Sequence, residues 1–492
     1  MNVTKTILLI IILLGLFFRI YKLEIFYPWG HDQDLFAWIA KDIIIDYHFR
    51  LIGQETSITG VFIGPIFYYL IALSFAIFDM NPLSAVVVTT VVSLFTIFSI
   101  YWVFKKFFGQ NVGTVGAFLY AVSPGAVFLD RWVVPTQPSI LWTVWYLYVL
   151  LSVLKGKLPL ILLSVLIGLI WHIHIAFIPL LVLLPVAFLL SDKKEKKLKF
   201  NLKTIIVSLL IFTILTIPLI IFEIRHGFGQ TTSLITATHQ DKGDLSGIER
   251  LYKVISSGGR SLVGAFMLSN TVIELNPIYT AIPPLLLLIG IFYLWRRKVL
   301  TKNQTIIILI WFTVVFSAQF FSKRIITEYY FNNLLVILFL TLTLILNRFN
   351  NTFGKFPIVT TFLVVYLLVV IAWFTNRPDD LGGFLYKRQA VEYIKSDASD
   401  KHYSCIAINH IESQRGGGTG FRYLFWLDNL SVITSGNDVP VYSIVNPWTI
   451  SASEISARFG NIGVIVPARK KIDSSICTKP ERQLLPLWGF NN

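Results

Sequence analysis

The chain runs to 492 residues, 55% of them hydrophobic, 15% aromatic and only 14% charged, with a mean hydropathy of +0.69. Several stretches go 16 residues or more without a charge, close to the roughly 20 apolar residues that cross a bilayer; this excludes a soluble enzyme and predicts a multi-pass membrane protein. The net charge of +15 does not point to nucleic acid, because the Lys and Arg residues gather in short loops between apolar runs, as the positive-inside bias requires.

The first apolar run, 6–21, follows Lys5 and is not followed by a small-residue cleavage site, so it reads as an uncleaved first span. Past it, six carboxylates (Glu24, Asp32, Asp34, Asp42, Asp46 and Glu55) fall in one segment of an otherwise apolar region. Two of them sit in Pro28-Trp29-Gly30-His31-Asp32-Gln33-Asp34. Residues two apart share a face of an extended segment but not of a helix. Pro28 and Gly30 predict an irregular start, with a helix from about Leu35 to Ile45 and one of the two acids as its N-cap. An acid facing a membrane cavity suits a general base, and Asp32 is the candidate. Asp34 is divided between helix cap and second active-site acid.

The run 62–78 is apolar but only 17 residues long, and no basic residue follows it before the next run. If it crossed, Lys105 and Lys106 would fall outside, so it is assigned as an interfacial or re-entrant helix. Spans are then expected at 83–104, 112–129, 138–154, 204–222, 279–295, 304–321, 329–346 and 357–374. Two more fill 158–190, which is too long for one helix and is interrupted by His172, His174 and Pro179. The total with 6–21 is eleven spans. The basic loops and the N-terminus then face the cytoplasm, and the outer face carries 22–82, 130–137, the His172–His174 turn, 223–278, 322–328 and a soluble part from 375 to 492. That tail has strand-like runs such as Tyr403–Ile408 and predicts a small α/β or α+β domain beside a membrane domain of residues 1–374. Its Cys405 and Cys477 form a disulfide if it lies outside the cytoplasm, or remain two free thiols.

Outward-facing basic residues run against the charge bias. Arg19, Arg131, Lys323 and Arg324 can each bind a lipid phosphate or snorkel to the interface. Asp130 and Arg131 can pair at the surface or line the cavity of Asp32. In Trp171-His172-Ile173-His174 the spacing of two is poor for zinc on a helix, and His174 is placed as a hydrogen-bonding residue at the cavity rim. Glu328 can touch substrate or pair with Arg324; the aromatic Tyr329 beside it can contact substrate or anchor the interface. No phosphate-binding loop, dinucleotide fingerprint or nucleophile elbow occurs. No cofactor is expected, and a divalent metal is possible but not favoured.

These features together resemble the GT-C superfamily of polytopic glycosyltransferases. More narrowly they are similar to the protein-O-mannosyltransferase-like members, glycosyltransferase family 39, grouped with aminoarabinose and galacturonosyltransferases. The residues carrying the resemblance are Asp32-Gln33-Asp34, Leu51–Ser57, Gly64–Tyr69, Ser123-Pro124, Arg131-Trp132 with Pro135, His174, and Glu328-Tyr329-Tyr330. The resemblance implies a multi-pass cell-membrane enzyme with a polyprenyl-phosphate monosaccharide donor, a lipid, glycan or protein acceptor, and inverting transfer. It implies Asp32 as base and Asp130 as the nearest match to a second acid, and a juxtamembrane helix after the first-loop acid. The expected catalytic group is thus Asp32, Asp34 and Asp130, and the expected substrate-binding group Arg131, His174, Lys323, Arg324, Glu328 and Tyr329. The rival reading is a transporter, flippase or polymerase of lipid-linked saccharides, although the acids lie in a loop and not at mid-membrane, and no two-half repeat is visible.

Overall fold

The computed structural model describes residues 3–191, 201–237, 245–267, 277–322, 324–352, 357–412, 420–436, 438–446, 454–468, 474–487 and 489–490. In chain order its helices are α1 (Val3–Ile20), α2 (Leu23–Phe26), α3 (His31–Ile45), α4 (Ile66–Ile77), α5 (Ala85–Phe108), α6 (Gln110–Val122), α7 (Pro124–Arg131), α8 (Ser139–Leu154), α9 (Leu160–Ile173) and α10 (Leu183–Leu190). There follow α11 (Leu202–Arg225), α12 (Gly229–Ala237), α13 (Gly247–Gly264), α14 (Pro277–Arg296), α15 (Lys302–Phe321), α16 (Asn333–Thr352), α17 (Ile358–Asn376), α18 (Phe384–Asp400) and α19 (Arg422–Leu427).

Among the described residues, seven helices are long and apolar enough to cross a membrane: α1, α5, α11, α14, α15, α16 and α17. The pair α6–α7 makes an eighth if counted as one bent span, and four apolar helical segments are shorter. Eleven crossings would need the bent pair and three of those four. Exposed Leu209 and Leu210 on α11 and Val364, Val365 and Leu368 on α17 give these helices an apolar outer surface that a water-soluble fold would bury.

Three local features differ from expectation. The span expected at 112–129 breaks at Ser123-Pro124 with a bend of 62°. Proline cannot donate the helical hydrogen bond and suits a first helical position; the Ser123 hydroxyl caps the new helix by accepting from Ala126 N–H at 3.3 Å and donates to the Ala265 carbonyl. The helix expected from Leu35 begins at His31, because Gln33 Oε1 reaches back to accept the Gly30 N–H at 2.9 Å and ties down the first turn. The segment 223–278, expected as a loop, contains α12 and α13. The break expected near His172–His174 is present: α9 ends at Ile173, and His174 is extended before a 3-10 stretch from Ile175 to Val182.

Among the described residues there are two large apolar cores and a small cluster of Cys405, Ala407, Ile433 and Val439. The larger packs residues such as Ile100, Leu147, Trp311 and Phe339 between α5, α8, α15 and α16. The second joins Phe36 of α3 and Phe67, Tyr68 and Phe75 of α4 to Phe384, Ile406, Tyr423 and Ile444 of the C-terminal part. Thus α4, the apolar segment that sequence assigns to the interface, packs with the tail and α3 and not in the larger core. The tail itself is α/β. Its five strands, β1 (Ile406–Glu412), β2 (Val432–Ile433), β3 (Val441–Asn446), β4 (Ala457–Phe459) and β5 (Ile462–Ile465), are ordered β2-β1-β3-β5-β4. β1 runs parallel to β2 and β3, while β5 is antiparallel to β3 and β4. Cys405 and Cys477 are joined in a disulfide across 72 residues.

Candidate active site

The triplet Asp32-Gln33-Asp34 opens α3, and each side chain has a different task. Gln33 is buried, and besides holding Gly30 it donates through Nε2 to the Val133 carbonyl at 3.0 Å, fixing α3 against the link between α7 and α8. Asp34 is fully buried and accepts the backbone N–H groups of Arg422 at 3.2 Å and Tyr423 at 2.8 Å. It therefore caps α19, nearly 390 residues away, and not its own helix. Burial raises its pKa to about 6, with the two amides and Lys387 pulling the other way. Around it the indole N–H of Trp29 donates to the Gly420 carbonyl at 2.7 Å, and Lys387 Nζ to the Trp29 carbonyl at 2.9 Å.

Asp32 is the member of the triplet that is left facing open space. It lines a polar cavity of about 170 Å³ with Glu55, Thr56, Gln137, His174 and Tyr329. Burial pushes its carboxyl above the usual carboxylate range, and neighbouring His31 offsets part of the rise; a carboxylate so shifted is a better proton acceptor. His174 Nδ1 accepts the Ala176 N–H at 3.0 Å, and the ring packs on Tyr329 and Tyr330 at 5.6 and 5.1 Å between centroids. His172 does not line this cavity: its Nε2 meets the Leu215 carbonyl at 2.7 Å and Gly64 packs on its ring, so it is a packing residue between α9, α11 and the start of α4.

A second cavity, of about 270 Å³, adjoins the first and shares Leu129, Trp132, Tyr329 and Asn332 with it. Phe128, Met267, Leu335 and Trp373 make it apolar, and Arg260, Arg377 and Glu328 supply its charge. Of the two alternatives for Glu328, contact with substrate or a pair with Arg324, the second is not formed: it pairs with Arg260 at 2.9 Å. Arg377 lies over Phe26 and Trp373 at 4.6 and 5.3 Å, and its Nε has no hydrogen-bond partner among the described residues. A third opening, of about 410 Å³, lies between Pro28–Gln33, Trp132 and Asp380–Gly383. Asp32 borders the first and third spaces, and Trp132 borders all three.

The remaining expected site residues lie apart from these spaces. Asp130 is 2% exposed and enclosed: Arg19 Nη2 at 2.6 Å, Ser93 Oγ at 2.7 Å, Tyr120 OH at 3.0 Å and Gln137 Nε2 at 2.9 Å all donate to it. Its lone pairs are spent on that network, which corrects its expected place beside Asp32. Arg131 donates to the backbone carbonyls of Phe18, Arg19 and Tyr21, closing the end of α1. Arg324 is buried, its carbonyl accepting from Arg250 at 3.0 Å, and borders none of the three spaces. Lys323 lies outside the described residues. Sequence reasoning missed Arg260, Arg377 and Gln137, and named Trp132 only within the resemblance without giving it a role. Both arginines fall in segments that the charge alternation puts outside, so the same anomaly that singled out Arg131 was available for them. Among the described residues, no three His, Cys, Asp or Glu side chains gather as a metal site would.

The family model described as dolichyl-phosphate-mannose-protein mannosyltransferase matches residues 63–222, about a third of the chain and not including Asp32. No curated protein sequence matches. Among solved structures, ArnT from Cupriavidus metallidurans bound to undecaprenyl phosphate aligns over 93% of this chain and 97% of its own, with a TM-score of 0.58 and 11% identity. The apo form of that protein aligns equally far, with a TM-score of 0.57 and 12% identity. The chain has the fold of ArnT. The Archaeoglobus fulgidus oligosaccharyltransferase in complex with zinc and sulfate, at 14% identity and a TM-score of 0.50 over 89% of this chain and 68% of its own, is a more distant GT-C neighbour. The family match covers most of α4 to α11.

Proposed function

We propose that this chain is an integral membrane glycosyltransferase that moves a monosaccharide from a polyprenyl-phosphate donor to an acceptor hydroxyl. One observation carries the reading: Asp32 faces a polar cavity that shares Leu129, Trp132, Tyr329 and Asn332 with an apolar one bearing Arg260 and Arg377. The polar space is below the roughly 300 Å³ at which pockets hold drug-sized ligands, so it takes one sugar ring. The apolar space takes the first part of the lipid. The undecaprenyl phosphate bound to ArnT fits the same division.

Asp32 accepts the proton of the acceptor hydroxyl as its oxygen bonds to the anomeric carbon. The bond from that carbon to the phosphate oxygen breaks, and the lipid phosphate leaves with its charge held by Arg260 and Arg377. Base and guanidinium groups line different cavities that meet at Leu129, Trp132, Tyr329 and Asn332. In this reading attack and departure take opposite faces of the sugar, the arrangement of an inverting displacement. The acceptor enters through the third opening, past Trp132. The Cys405–Cys477 disulfide supports an extracytoplasmic C-terminal part, since such bonds persist outside the reducing cytosol, and with the eleven spans expected from sequence the N-terminus is cytoplasmic.

Purified protein in detergent, given a polyprenyl-phosphate sugar and a saccharide or peptide acceptor, should release lipid phosphate. Asp32→Asn should lower turnover by about 10²- to 10⁴-fold with an unchanged gel-filtration profile. A fully active Asp32→Asn protein removes Asp32 from the chemistry. Movement of lipid-linked sugar across vesicles without bond cleavage would establish the flippase reading instead.

A further inference from the structure

Gln137 joins two environments. It lines the polar cavity with Asp32, and it also ends the buried network of Arg19, Ser93, Tyr120 and Asp130. The orientation of its amide follows from chemistry. An ionised carboxylate only accepts, and Arg19 pairs with Asp130 at 2.6 Å in the protein interior, so the Gln137 atom at 2.9 Å from Asp130 Oδ1 must be the donating Nε2. The Thr89 carbonyl, at 3.4 Å, faces the same nitrogen and is likewise only an acceptor. Both neighbours forbid the flipped amide, which would set oxygen against oxygen. The other amide atom, Oε1, makes no hydrogen bond to the described part of the chain. Gln137 thus has an amide that cannot turn over and a carbonyl oxygen left for whatever fills the cavity.

Resting on the donor reading above, we propose that Gln137 is a specificity-determining residue for the donor sugar: its Oε1 accepts one ring hydroxyl, and Asp130, locked to Arg19, is the positioning residue that fixes that polarity. This gives the buried Arg19–Asp130 pair a task beyond cohesion. A charged pair in an apolar core is costly to desolvate, and here it makes one cavity atom an obligate acceptor. A sugar that presents a hydroxyl there gains a hydrogen bond. A sugar that presents hydrogen or a carboxylate oxygen at that position leaves a buried acceptor unmatched or repelled.

The test uses full-length protein with undecaprenyl-phosphate mannose, glucose and galactose, and the monodeoxy analogues of whichever is turned over. Wild type should lose about tenfold or more in kcat/KM for one deoxy position. Gln137→Met, which keeps the side chain's length and removes the acceptor, should lose activity on the parent sugar and treat that deoxy analogue as its equal. Asp130→Asn, if it elutes as folded protein, should show the same loss of discrimination with a smaller fall on the parent sugar. If it does not fold, the Gln137→Met series decides. Identical relative rates for wild type and Gln137→Met across the series overturn the proposal while leaving the glycosyltransferase reading intact. No turnover of any of the three donors by wild type, whichever acceptor is supplied, overturns both.

Discussion

Asp34 and Asp32 are two residues apart, yet their substitution should read out in different assays and with different pH dependence. Asp34→Ala strips the acceptors from the Arg422 and Tyr423 amides in a region where Asp34 is fully buried. Each orphaned buried amide costs about 1–3 kcal/mol, so the pair costs about 4 kcal/mol. Wild type carries its own opposing term. The carboxyl is raised from 3.8 to about 6 by burial, so the folded chain keeps a proton that the unfolded chain releases in that window. Stability therefore declines as pH climbs through it, by about 3 kcal/mol in all. The penalty of Asp34→Ala should accordingly be about 4 kcal/mol at pH 3, below the unfolded pKa, about 2 kcal/mol at pH 5, and about 1 kcal/mol at pH 8. Asp34→Asn, uncharged and still able to accept one amide, should cost about 1–3 kcal/mol at pH 3 and be neutral or stabilising at pH 8. Hydrogen exchange of the Phe421–Leu430 peptide, corrected for the pH dependence of the intrinsic rate, measures the local opening free energy. Turnover of the folded fraction should stay within a few-fold of wild type. A penalty independent of pH, or a folded Asp34→Ala protein as inactive as Asp32→Asn, refutes the assignment of Asp34 as a cap.

Three further outcomes follow from the same geometry. The Asp32 carboxyl is held above the usual range by burial and must be ionised to act as base, so kcat/KM should fall on the acid side with an apparent pKa above the ordinary value of about 4; a limb at that ordinary value, or none, contradicts the role. Arg260→Ala and Arg377→Ala should each raise the KM for a polyprenyl-phosphate sugar by about 10- to 100-fold, the equivalent of one charge-assisted hydrogen bond, and an unchanged KM in both removes them from phosphate binding. Cys405→Ser opens a cross-link spanning 72 residues and should destabilise the C-terminal part by up to about 4 kcal/mol, seen as protease sensitivity that reducing agent reproduces in wild type but does not worsen in the variant.

The long helices were legible because hydropathy is a local property: the expected 204–222, 304–321 and 357–374 correspond to α11, α15 and α17. Breaks were legible where a residue forces one, as at His174, and missed at Pro124, whose apolar neighbours conceal the kink in any window average. Asp32 could be found because its signal, an acid at an apolar boundary, is also local. The partners of Asp34 and Asp130 could not, since they lie 388 and 111 positions away and nothing near either acid says whether it faces a cavity or another chain segment. Arg260 was hidden for a different reason: α13 mixes Arg and Lys with apolar residues and reads as a polar loop unless its helical spacing is plotted.

The docking of the C-terminal part onto α3 has a consequence for biosynthesis. Trp29 and Asp34 precede α17 in the chain, and the groups that hold them, at Gly420, Arg422 and Tyr423, follow it. Until those groups are made, the N-terminal turn of α3 is held through Gln33, at Gly30 and at the Val133 carbonyl, without its distal supports. A nascent chain can thus thread α1 to α17 into the bilayer before the C-terminal part clamps Trp29 and Asp34. The segment from Gly420 to Tyr423 completes the packing of the first turn of α3.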